Sequence, residues 1–241
     1  MGSAGLDAEN CFWIHYKFTL PENRVREFHV RLRRDTLGLI AEERETYPEW
    51  ARLTYHQCTN CPLRPETHAF CPVAANLVEV VEYFKDVRSC EEADVEISTE
   101  SRTYTKRTPL QEALSGLTGI YMVTSGCPIL DKLRPMVYTH TPFASLEETT
   151  YRAVSMYCLA QFFRSLRGKK PDWELGGLTK IYEEIVEVNS SFHLRILEVH
   201  TADAGLNALI RLDCYAQFTN ALLLRKGLGA IERLFGSYLD E

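Results

Sequence analysis

The sequence predicts an α+β fold: an N-terminal antiparallel β-meander carrying a cysteine knuckle, followed by a C-terminal helical bundle. Three observations lead there. Apolar and polar residues alternate early in the chain, three of the eight cysteines then crowd into fourteen residues, and the second half is patterned at helical spacing.

Residues 1–10 are small and polar and are expected to be disordered. Phe12, Ile14, Tyr16, Phe18 and Leu20 then alternate with Trp13, His15, Lys17 and Thr19, the period-two pattern of a half-buried strand. Pro21-Glu22-Asn23 supplies a turn, and Phe28, Val30 and Leu32 resume the alternation as a hairpin partner. Leu37, Leu39 and Ile40 are read as a third strand, and an acidic loop over 42–49 leads through Trp50, Leu53 and Tyr55 into the cysteines. Pro72 opens a helix over 72–86 on Leu77, Val78, Val81 and Phe84. Residues 94–98 and 102–105 read as two more strands.

From residue 108 the signals are helical. Thr108-Pro109-Leu110-Gln111 reads as a capping box with Pro at the first helical position, opening a helix through Thr124 that Gly126-Cys127-Pro128 stops. Ser145-Leu146-Glu147-Glu148 is a second box. The helix it opens is apolar nearly all round from Ala153 to Phe163, which predicts a place in the middle of the bundle. Gly168 and Pro171 end it. Leu178, Ile181, Tyr182, Ile185, Phe192 and Ile196 line one face of the next helix, opposite Glu183, Glu184 and Glu187. Leu206–Leu224 and 228–238 add two more. The expected organisation is a sheet-rich region with the cysteine cluster over 11–107 and a helical region over 108–241. No Pro/Gly/Ser-rich linker separates them, so they are expected to pack as one unit.

Composition narrows the function classes. Net charge is −6 and evenly spread, with no basic stripe of the kind nucleic-acid binding requires. No apolar run reaches the ~20 residues of a membrane span, and no basic region followed by an apolar core stands ahead of the first strand, so no secretory signal is expected. A soluble, cytoplasmic protein is expected, with protein partners, a second copy of the chain included, and neither nucleic acid nor membrane. In that compartment thiols stay reduced, so clustered cysteines point to metal ligation or reactivity rather than disulfides.

Cys58, Cys61 and Cys71 have C-x2-C-x9-C spacing. Two residues between ligands let both sulfurs of the first pair reach one ion, and zinc takes four ligands in a tetrahedron. Cys127 is the expected fourth ligand, because it repeats the Cys-Pro dipeptide of Cys61-Pro62 and Cys71-Pro72. His68 and His56 are the alternatives. A closed four-ligand zinc site would be structural and would suit an interaction or scaffold protein. The alternatives are an iron–sulfur cluster or a thiol-based redox or regulatory role, since four thiolates flanked by proline also suit a cubane, and an enzyme with an open metal position. Cys11, Cys90, Cys158 and Cys214 stand alone and read as buried core thiols.

No catalytic residue is assigned. His140, ahead of the Ser145 cap and near Glu147, Glu148 and Arg152, fits acid/base chemistry or an ordinary loop histidine. His193 and His200 read as a surface pair on a helix. Asp203, Asn207, Arg211 and Asp213 read as a cap and solvated helix positions. Nucleotide-binding glycine loops, G-x-S-x-G and H-E-x-x-H are absent.

The run from His56 through Cys71-Pro72, with Ser125-Gly126-Cys127-Pro128 and His140-Thr141-Pro142-Phe143-Ala144-Ser145, resembles an uncharacterised bacterial protein family of unknown function with Cys-Pro, metal-site-like motifs. The resemblance implies a bacterial, cytosolic origin and carries no activity with it.

Overall fold

A computed structural model describes residues 10–42, 44–199, 202–224 and 227–240. The disorder expected over 1–10 falls, apart from Asn10, outside them, as does His200 of the expected surface pair.

Four antiparallel strands form the N-terminal sheet: β1 (Cys11–Leu20), β2 (Arg24–Arg33), β3 (Glu92–Thr99) and β4 (Thr103–Pro109), in the order β2-β1-β3-β4. The first two make the expected hairpin around the turn at Pro21–Asn23, with Ile14 opposite Val30 and Phe18 opposite Arg26. The alternation does its work here. Ile14, Tyr16, Phe18 and Leu20 of β1, Phe28, Val30 and Leu32 of β2, and Ala93, Val95 and Ile97 of β3 are all buried on one face.

The strand order is not that of a meander. The chain leaves β2, makes a long excursion, and returns β3 to the free side of β1. The third strand expected at Leu37–Ile40 is only a bridge between Leu32 and Leu39. A tight turn (Leu37 N–H to Arg33 O, Arg33 N–H to Gly38 O), with Leu37 in the left-handed region, folds that segment back before a ladder can grow.

Helices α1 (Pro72–Phe84) and α2 (Leu110–Thr124) cover the buried face of the sheet. Phe84 of α1 meets Phe18 and Phe28 at ring distances of 5.4 and 5.9 Å. On α2, Gly116 lets the helix approach β1: a Cβ there would stand 3.1 Å from the Tyr16 hydroxyl. The start of α2 departs from the expected capping box. Thr108 donates to the Glu112 carboxylate instead, and the first helical N–H groups are satisfied by the preceding turn, Leu110 to Glu91 O and Gln111 to Ser89 O.

The remaining long helices are α3 (Leu146–Leu166), α4 (Gly176–Leu197) and α5 (Ala204–Leu224). The last packs on both α2 and α4, making the second helical layer. The Ser145 box forms as expected: Glu148 N–H donates to Ser145 Oγ, and Ser145 N–H to the Glu148 carboxylate. The helix it caps is not central, however. Only the stripe Thr150, Ala153, Tyr157 and Gln161 is buried, whereas Leu159, Phe162, Phe163 and Leu166 are about half exposed or more. The single helix expected at 228–238 is broken into α6 (Gly229–Glu232), a 3-10 turn and α7 (Gly236–Leu239). Among the described residues no helix is long and apolar enough to cross a membrane.

Candidate metal centre

The excursion between β2 and β3 holds the cysteine knuckle. Its base is closed by an antiparallel bridge, Arg52 to Phe70, with Leu53 N–H to Ala69 O at 3.0 Å and Cys71 N–H to Ala51 O at 2.9 Å. Within the knuckle Cys61 N–H donates to Cys58 O at 3.0 Å, the turn that C-x2-C spacing calls for. Cys71 is extended and immediately precedes α1, whose first residue is Pro72. Cys127 arrives from the end of α2. Gly126 ends α2 with φ +90°, a value that favours glycine, and the chain turns into a 3-10 segment over Leu130–Thr139.

These two segments put four thiols into one electrostatic neighbourhood. Burial first, then the charges of Cys71, Cys61 and Cys127, push the Cys58 thiol up to about 11. Burial likewise raises Cys127, opposed by hydrogen bonds from the backbone N–H groups of Leu130 and Ile129 and reinforced by Cys71 and Cys61. All four cysteines are half-buried and unbridged.

Helix α4 is the floor of this site. Arg195 is 1 % exposed and donates through Nη1 to the carbonyls of Trp50 and Arg52. Its charge bears on Cys71, Cys58 and Cys61, although desolvation dominates and lowers its own pKa. Thr59 donates to Glu187 at 2.6 Å and Asn60 to Glu184 O at 2.9 Å, so the acidic face of α4 holds the knuckle tip rather than facing solvent alone.

The candidates for a fourth ligand are placed differently from one another. Cys127 is close enough to raise Cys58. The His56 ring pairs with Glu198 at 2.9 Å, which also accepts from Tyr55. His68 is exposed, 2.9 Å from the Thr67 hydroxyl. Cys11 and Cys158 are half-buried and Cys90 and Cys214 exposed, so the reading of all four as core thiols is corrected. The latter pair sits on outward positions of a turn and of α5.

The cysteine sulfurs are near one another without being tightly gathered. Among the described residues, the one group of three or more His, Cys, Asp or Glu ligand atoms all within 4.8 Å of one another is His15, Glu27 and His29, on the outer face of the sheet. The two imidazoles stack at 4.2 Å, and Glu27 lies 3.3 Å from His15 Nε2. Sequence reasoning missed this group, yet its signal was there. A hairpin centred on Glu22 pairs residue 15 with residue 29.

A family model described as a domain of unknown function, DUF6901, matches residues 14–236, from β1 into α7. The chain belongs to the DUF6901 family. The match spans the knuckle, Cys127 and Arg195 alike, so the whole arrangement lies inside one DUF6901 domain. No curated protein and no solved structure matches this DUF6901 chain.

Proposed function

We propose that this DUF6901 protein is a metal-binding protein whose centre, held by Cys58, Cys61, Cys71 and Cys127, clips the knuckle to the end of α2. The observation that carries the reading is the mutual electrostatic influence of four thiols drawn from two distant segments. Thiolates packed together repel, and a bound cation removes that repulsion while releasing their protons. Arg195 beneath the site and the N–H groups aimed at Cys127 favour the anionic form that a metal needs.

The spacing bears on which centre it is. A single zinc ion with Zn–S bonds of ~2.3 Å needs its sulfurs roughly 4 Å apart. No three of the cysteine sulfurs meet even a 4.8 Å criterion. A cubane bonds each thiolate to a different iron and therefore takes a wider set. Zinc, the first reading, therefore requires the thiols to draw inward on binding, and an iron–sulfur cluster is the alternative. Either centre would act by tying the two halves of the fold together, which suits an interaction or scaffold role. A redox or regulatory role belongs to the iron–sulfur case.

The test is elemental and sulfide analysis of anaerobically purified full-length protein, carried out in a His29→Gln background so that the exposed His15–Glu27–His29 group adds no metal of its own. A colourless protein with one zinc is the expected result. A brown protein with iron and matching acid-labile sulfide selects the alternative. Fully folded protein with no metal in either form overturns the proposal.

A further inference from the structure

A cavity of ≈190 Å³ lies between α2, the 3-10 segment, α4 and α5, away from the knuckle. Its walls are mostly aliphatic, with Ile120, Leu133, Val137, Ile185 and Leu212 among them. Polar groups line one end, where Arg152 acts on His140 and Tyr182, and Asn189 is also part of the lining. We propose that this cavity binds a small monocarboxylate with a compact apolar body, its carboxylate anchored on Arg152.

Arg152 feels the charge of Glu148 but makes no direct ion pair among the described residues. Arg152 reaches in from α3, and its Nη2 donates to Met136 O at 2.6 Å. Its Nε is buried with no hydrogen-bond partner among the described residues. Arg152 is half-buried with its Nε enclosed, and an enclosed N–H of a cation is expected to be paired, because desolvating it without compensation is costly. The nearby carboxylates are spent elsewhere. Glu148, one helical turn before it, accepts from Ser145 N–H in the cap. Glu112 serves Lys106 and Thr108 and lies 3.9 Å from Arg211.

The neighbours at that end are neutral. The Tyr16 hydroxyl sits 2.7 Å from His140 Nε2. Burial, with the Arg152 charge adding to it, drops the His140 pKa to about 3, so the imidazole is uncharged and competes with no ligand for a counter-ion. Donation by the hydroxyl to Nε2 leaves the ring proton on Nδ1. Asn189, buried on α4, adds an amide to the same wall.

Charge and size set the ligand class. Arg211, at the other end, shares Glu112 with Lys106 and donates to the Tyr215 hydroxyl, so Arg152 is the cation at the His140 end and one carboxylate matches it there. That favours a carboxylate over a phosphate dianion. An apolar cavity of roughly 150 Å³ takes up benzene, so this one holds a body of about that size plus a carboxylate. The loop over 140–145 closes one side, and in it Phe143 holds a left-handed φ of +60°. A non-glycine residue kept in that region is a strained feature of the kind found at ligand sites.

Benzoate, benzyl alcohol and benzamidine have similar bodies and carry a negative, no, and a positive charge. Their binding to the full chain is measured by ligand-observed NMR and by thermal shift, with Ile185 methyl shifts reporting the cavity. Saturable benzoate binding that moves Ile185 and is about tenfold or more tighter than benzyl alcohol is expected. Arg152→Met should abolish the preference while preserving the circular dichroism spectrum. No saturable benzoate binding up to about 10 mM, equal affinity for benzyl alcohol or benzamidine, or undiminished benzoate binding in folded Arg152→Met overturns the proposal. Should that variant not fold, the three-ligand comparison on the native chain decides alone.

Discussion

The hydroxyl of Tyr16, in the middle of the central strand, lies 2.7 Å from Nε2 of His140, 124 residues later in the chain. Tyr16 is fully buried and His140 half-buried, and desolvation of the ring holds the imidazole neutral by pulling its pKa from 6.5 to about 3. In the unfolded chain the histidine takes a proton near its ordinary pKa, whereas in the folded protein it does not. Stability is therefore complete above about pH 6.5 and falls as pH drops from there toward 3. Thermal denaturation between pH 7 and 4 should show a loss that His140→Gln reduces. An unchanged slope in that variant would mean the imidazole is protonated in the fold.

Arg195 connects the third long helix of the second half to two carbonyls at the base of the knuckle. Replacing it by Leu strands both carbonyls in a buried position, at a cost of about 2–4 kcal/mol. Urea titration of Arg195→Leu measures this. On the proposed metal reading, the same variant should give up its ion more readily to a chelator, because the positive charge beside the thiolates is gone. Wild-type stability would show that the carbonyls find other donors.

The Ser145 cap is a simpler case. Both reciprocal bonds of the box are present, so Ser145→Ala should lower stability by about 1 kcal/mol. No change in a denaturant midpoint would show that the first turn of α3 is held from elsewhere.

Gly177 tests packing at the opposite end of α3. A Cβ there would stand 2.2 Å from the Tyr157 hydroxyl and 3.1 Å from an Asp172 oxygen. Asp172 accepts from Gly177 N–H at 2.6 Å and Tyr157 donates to it at 2.9 Å. Gly177→Ala must displace the tyrosine and should cost about 1–3 kcal/mol in a thermal melt. The double variant Gly177→Ala/Tyr157→Phe should recover part of that loss, since the clashing oxygen is removed.

What could be read from the sequence follows from how local each signal is. The β1–β2 hairpin, α1 after Cys71-Pro72 and the Ser145 box are encoded by neighbours within a few residues, and all three form. Alternation locates the antiparallel strands but not their order, because β3 pairs with β1 through contacts about 80 residues apart. The helix at Ala153–Phe163 looked central because its composition is apolar all round. Burial depends on what lies opposite, and only the Thr150–Gln161 stripe has neighbours there. At the candidate site, C-x2-C and the repeated Cys-Pro pointed to Cys127, but nothing local to the cysteines pointed to Arg195. It lies 68 residues beyond Cys127 on an ordinary helical face. The unpaired Arg152 was equally hidden, since an arginine following two glutamates reads as satisfied.

The insertion of β3 beside β1 has a kinetic consequence. The hairpin closes over a short turn and can form early, whereas β3 docks only after the intervening segment from Arg34 to Glu91, with its knuckle and α1, has been drawn in. Closing a loop of that length costs entropy before any ladder bond rewards it, and such non-local pairings slow folding. The knuckle therefore lies inside the slow loop. Cysteines gathered there early by a metal would shorten the effective loop, so refolding should be faster when the centre is loaded first.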